Sequence, residues 1–120
     1  MSAFRLSEER MGPVVLLRAS GKMTLGDGPE MMHETIHKLV EEGRPRIVLD
    51  LEGVSYIDSA GLGGIVSAFS TVRTSGGTLV LAAVPKRVHD LLQLTKLLTV
   101  FETFESTEKA VAHLTATAPK

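Results

Sequence analysis

Two aliphatic runs, RIVLDL at Arg46–Leu51 and TLVLAAV at Thr78–Val84, constrain the fold of this chain more than any other feature. Neither shows the 3.6-residue period of an amphipathic helix, and both are rich in Val, Ile and Leu. Successive residues of a strand point to opposite faces, so a run apolar at successive positions belongs in a sheet covered on both sides. That is the environment of a parallel sheet with helices packed on it. The segments between the runs do carry helical periodicity. Met32, Ile36, Leu39 and Val40 share one face of a helix that follows Asp27-Gly28-Pro29, where proline suits the opening turn, and that stops at Gly43. Ile65, Val66, Phe69 and Val72 mark a second helix, from near Ser59 to Gly76-Gly77. A third opens at Pro85 and is expected to bury Val88, Leu91, Leu92 and Leu94; a fourth starts near Ser106-Thr107 and carries Ala110, Val111 and Leu114.

Shorter signals supply the rest of the sheet. Phe4 and Leu6 alternate with polar residues as in an edge strand, Met11-Gly12-Pro13 provides a turn, and Val14–Leu17 forms the other arm of a hairpin. Phe101–Phe104 reads as a last short strand. Strands alternating with helices predict a single α/β domain, with a mixed, mostly parallel central sheet of four to five strands and about four helices. The body is expected to span residues 1–114, with residues 115–120 a frayed tail. Ligands and partners of such sheets meet the loops at the carboxyl ends of the strands, here Ser20–Gly28 and Ser55–Gly61.

Composition narrows the function classes. With aromatic content at 4% and hydrophobic residues at 43%, the core has to be aliphatic. A net charge of −1 gives no basic excess for nucleic acid or an anionic membrane surface. The chain has no cysteine, so disulfides and thiolate metal sites are excluded. Charged residues at Arg5, Glu8, Glu9 and Arg10 argue against a signal peptide, and no apolar run approaches the ~18 residues of a membrane span. A cytoplasmic location is the expectation.

The segment Val54–Gly64, VSYIDSAGLGG, breaks local rules. Gly61, Gly63 and Gly64 stand in the first turns of the second helix, where each costs up to ~1 kcal/mol against alanine. Glycines there let another backbone approach and leave amides accessible. Ser59 occupies an expected N-cap position, whose hydroxyl bond is worth ~1 kcal/mol. The alternative use of that hydroxyl is phosphorylation, which adds roughly −1.5 to −2 charges where the helix dipole tolerates them. Beside Asp58, a phosphate would sharpen repulsion toward an acidic partner.

The run VLDLEGVSYIDSAGLGGIV, Val48–Val66, closely resembles the signature of the STAS family, and of anti-sigma factor antagonists in particular: a buried strand, then Asp-Ser-(Ser/Ala)-Gly-Leu-Gly at a helix start. Weaker similarity extends to Gly21-Lys22-Met23-Thr24, to the strand entry Gly76–Leu81 and to the Leu-rich stretch Leu91–Leu98. The resemblance implies a non-enzymatic switch. The serine matching Ser59 is phosphorylated in the family by a partner serine kinase that is also the anti-sigma factor. The unphosphorylated antagonist sequesters that kinase and frees a sigma factor, and a phosphatase acting on Ser59 would reset the state. The partner-binding residues implied are Thr24, Asp27, Asp58, Ser59, Ala60, Gly61, Leu62 and Gly63. One departure stands out: Thr24 occupies a position where the family commonly has an acidic residue. A second non-enzymatic reading is a STAS subunit of a stress-signalling scaffold or lipid-transport complex, with Ser59 unmodified.

Other motifs are read as lacking chemistry. His33-Glu34-Thr35-Ile36-His37 matches the H-E-x-x-H zinc-protease pattern, and a small zinc hydrolase using His33 and His37 is the remote alternative. Such a site needs a third protein ligand, and the spacing of His89 and His113 identifies neither; the histidines are expected on a helix flank with Glu34 near solvent. Ile57 stands where a hydrolase nucleophile elbow needs glycine, and the glycine cluster lacks the Gly-Lys-Ser/Thr of a P-loop. No cofactor and no metal is expected. Met23, Met31 and Met32 are read mainly as core, and Asp50 receives no role.

Overall fold

Residues 4–43 and 46–118 are described by the computed structural model. They form β1 (Phe4–Met11), β2 (Val14–Met23), α1 (Asp27–Glu41), β3 (Arg46–Ile57), α2 (Ser59–Thr74), β4 (Thr78–Ala82), α3 (Lys86–Leu94), β5 (Thr103–Phe104) and α4 (Thr107–Ala116). The five strands make one sheet in the order β1-β2-β3-β4-β5. The β1–β2 hairpin is antiparallel and the other pairings are parallel. This is the mixed, mostly parallel α/β sheet expected from the alternating pattern.

The period of two along the strands sorts side chains into two cores. Val15, Leu17, Ile47, Leu49, Leu51, Leu79 and Leu81 face the first, where they meet Met32, Ile36 and Leu39 of α1, Leu62, Ile65 and Val72 of α2, and Val88 and Leu92 of α3. Val14, Leu16, Val48, Val80 and Ala82 face the second, closed by Ala110 and Leu114 of α4. Both faces of the central strands are therefore covered, which is why RIVLDL and TLVLAAV are apolar throughout. Met23 and Met32 are buried core residues.

Several boundaries differ from the sequence reading, each for a tertiary reason. β2 continues past Leu17 to Met23, and β3 past Leu51 to Ile57, because the two strands pair along this length with register shifts between Arg18 and Ser20 and between Gly21 and Lys22. The expected loops Ser20–Gly28 and Ser55–Gly61 thus shrink to residues 24–26 and to Asp58. Leu94 is 80% exposed rather than buried, since α3 turns it away from the first core. At the C-terminus α4 continues through Ala116, past the expected body limit at residue 114, and Arg46 donates to the Leu114 and Thr117 carbonyl oxygens at 3.2 and 2.9 Å. Residues 1–3 and 119–120 of the expected body and tail lie outside the described residues.

A polar contact pins α4 to the sheet. Asp50, left without a role by the sequence, is buried on the second face. Its Oδ2 accepts the Thr107 hydroxyl at 2.7 Å, and its Oδ1 accepts the Glu52 N–H at 2.8 Å. Burying a carboxylate is costly unless it is paired and hydrogen-bonded, and these donors, with Arg18 Nε at 3.7 Å, meet that condition.

Candidate functional site

A single residue, Asp58, separates β3 from α2, and its carboxylate organises the site. In extended conformation (φ −108°), it is the N-cap of α2. Its Oδ1 accepts the Gly61 N–H at 2.8 Å, while Oδ2 accepts the Leu25 N–H at 3.0 Å from the loop between β2 and α1. The Asp58 N–H donates to the Met23 carbonyl at 3.3 Å, and the Asp58 carbonyl accepts the Leu62 N–H at 2.9 Å. One aspartate thereby joins the end of β2, the following loop and the start of α2. The Gly61 N–H, and next the Leu25 N–H, hold its carboxyl below the ordinary aspartate value of 3.8, because both donors favour the charged form.

This arrangement corrects the reading of Ser59 as the cap. Asp58 caps, and Ser59 is the first residue of the helix, exposed to solvent. Its hydroxyl is not the group satisfying the Gly61 amide. The Gly61 amide, among those the glycines were expected to leave accessible, is occupied by Asp58.

The glycines serve two different purposes. A Cβ on Gly61 would collide with the carbonyl oxygen of Met23, so the close approach of α2 to the end of β2 requires glycine there. Nothing lies within 4 Å of a Cβ placed on exposed Gly63. The fold alone therefore gives no reason for glycine at Gly63.

The expected partner residues gather at this end of the sheet. Thr24 lies between Met23 and Leu25, both bonded to Asp58, and is half-buried. Ser59 and Gly63 face solvent, Ala60 is half-buried, and Gly61 and Leu62 turn inward. Asp27 opens α1, but its side chain lies outside the described residues. A groove of about 450 Å³ runs from Ser59 along α2, lined by Leu62, Gly63, Val66, Ser67 and Leu97 among others.

Sequence reading missed Leu25. It is 83% exposed, the highest value among the exposed large hydrophobic residues. Its signal was an isolated leucine between Thr24 and Gly26, outside any helical or strand pattern. His33 and His37 are exposed one turn apart on α1, with ring centroids at 4.3 Å. Among the described residues no group of three His, Cys, Asp or Glu side chains is placed to hold a metal ion. No described helix is long and apolar enough to cross a membrane.

The profile of the STAS domain matches residues 6–110. BtrV of Bordetella bronchiseptica is 30% identical over 91 residues, covering 76% of this chain and 78% of that protein. The anti-sigma-B factor antagonist of Staphylococcus aureus is 28% identical over 92 residues, covering 77% and 84%. Among solved structures, the phosphorylated form of the Bacillus cell fate determinant SpoIIAA superposes with a TM-score of 0.73 at 19% identity, over 93% of this chain and 99% of that one, which speaks to the fold alone. The profile match over residues 6–110, with a relative at 30% identity, places the chain in one family: it belongs to the STAS domain family.

Proposed function

We propose that this chain is an anti-sigma factor antagonist, a protein-binding module switched at Ser59. Unphosphorylated, it sequesters an anti-sigma factor that is also a serine kinase and so releases a sigma factor. Phosphate on Ser59 breaks that complex, and a phosphatase restores the binding form. The observation that carries this reading is the division of labour between neighbours: Asp58 caps α2, leaving Ser59 exposed at the helix start with its hydroxyl unpaired among the described residues. Curated relatives named anti-sigma factor antagonists support it.

The electrostatics fit a switch read on the surface. Since the Asp58 carboxylate already occupies the Gly61 amide, a phosphate on Ser59 is not neutralised by that donor. It adds roughly −1.5 to −2 charges beside an ionised aspartate, on the face a partner would have to desolvate. The domain itself keeps its cores, because Ser59 belongs to neither.

The test is to recover the kinase that copurifies with the chain from its native cell, treat the chain with that kinase and ATP, map the phosphate, and titrate the kinase with both forms. Phosphate on Ser59 with weakened binding is the expected result. Phosphate elsewhere, or equal affinity of both forms, overturns the switch and leaves a STAS subunit of another assembly.

A further inference from the structure

We infer that Leu25 is a specificity-determining contact residue, and that the partner which modifies Ser59 carries an apolar socket for it. The inference rests on the reading of Ser59 as a phosphorylation site and names the chemistry of the surface that meets it.

Leu25 combines two properties. Its residue surface is 83% exposed, and its backbone N–H is fixed by Asp58 Oδ2 at 3.0 Å. An exposed leucine on a mobile loop would lose much of its binding energy to ordering, whereas one held in place by a backbone bond loses less. The bond also fixes where the leucine stands, since Asp58 is the covalent neighbour of Ser59. A kinase that transfers phosphate to the Ser59 hydroxyl has to close over that hydroxyl and exclude water from it. It must then cover the residue bonded to the adjacent aspartate. What covers Leu25 is therefore the kinase surface, and an uncharged branched side chain is matched by an apolar concavity.

The groove that starts at Ser59 is of mixed character. Leu62, Val66 and Leu97 line it together with Ser67, Ser70 and Thr71.

The test uses a purified serine kinase that, with ATP, places phosphate on Ser59 of the wild-type chain. Leu25→Ser is compared with Met11→Ser, a half-exposed residue at the far end of the β1–β2 hairpin. Leu25→Ser is expected to leave the melting temperature unchanged, raise KM for the chain about tenfold, and leave kcat nearly unchanged; Leu25→Met is expected to recover most of the loss. Met11→Ser is expected to behave as wild type. If no kinase modifies Ser59, the switch itself falls and this inference with it. If the kinase modifies wild type and Leu25→Ser with the same KM, the assignment of Leu25 alone is overturned. A change in self-association of Leu25→Ser with unchanged KM would assign the leucine to a second copy of the chain and equally overturn it.

Discussion

The Thr107 hydroxyl donates to the buried Asp50 carboxylate at 2.7 Å, linking the first residue of α4 to the middle of β3. Thr107→Val keeps the shape and removes the donor, leaving one carboxylate oxygen poorly satisfied. The expected loss is about 1.5–3 kcal/mol, the range for a hydrogen bond to a charged group. Thr107→Ser, which keeps the hydroxyl, is expected to lose less. Urea unfolding of the two variants checks this, and a valine variant as stable as wild type would show the contact to be incidental.

Gly61 and Gly63 should respond to alanine in opposite directions. Gly61→Ala drives a methyl into the Met23 carbonyl and is expected to destabilise by about 1–3 kcal/mol as the helix start is displaced. Gly63→Ala meets open space within a helix and is expected to stabilise by about 0.5–1 kcal/mol. If Gly63→Ala also weakens kinase binding while raising the urea midpoint, the glycine is there for the partner's approach. Unchanged affinity would remove Gly63 from the contact surface.

Replacing Ser59 tests the separation of cap from switch. Because Asp58 supplies the cap, Ser59→Ala is expected to change stability by no more than about 0.5 kcal/mol. It should bind the kinase and remain bound in the presence of ATP. Ser59→Asp is expected to fold, as a negative charge suits a helix N-terminus, and to bind more weakly. Thermal melts and titrations of both variants decide the matter; a large loss of stability in Ser59→Ala would restore the serine to a structural role.

Asp58 gives stability a defined pH dependence. Its carboxyl is held below 3.8 by the Gly61 and Leu25 amides, so the folded state favours the charged form more than the unfolded chain does. The contribution is complete above the ordinary value of 3.8 and is lost as pH falls through the depressed native value. Asp58→Asn has no such charge to lose. The gap in urea midpoint between wild type and Asp58→Asn is therefore expected to be widest near neutral pH and to narrow as the solution is acidified below about pH 4. A gap constant with pH would show that the two amide bonds do not depend on the charge.

Local pattern alone determined much of this protein. The aliphatic runs at Arg46–Leu51 and Thr78–Val84, the helical periods between them and the Asp58–Gly63 motif specify an α/β domain and place a serine at a helix start, because burial on two faces, a 3.6-residue repeat and helix-breaking glycines are written in neighbouring residues. Other features depend on residues far apart in the chain. Whether Asp58 or Ser59 caps α2 was decided by the Gly61 amide together with Leu25, thirty-three positions away, since one carboxylate can bridge two backbones where a hydroxyl has no second oxygen. Asp50 found its donor in Thr107, fifty-seven positions on, and the extra length of β2 and β3 came from their mutual pairing. Leu25 reads in sequence as an ordinary loop residue; only the bond that fixes it beside Ser59 makes it a feature of the site. Hydrogen bonds to charge and strand pairing act through space, and sequence separation carries little information about which partners they choose.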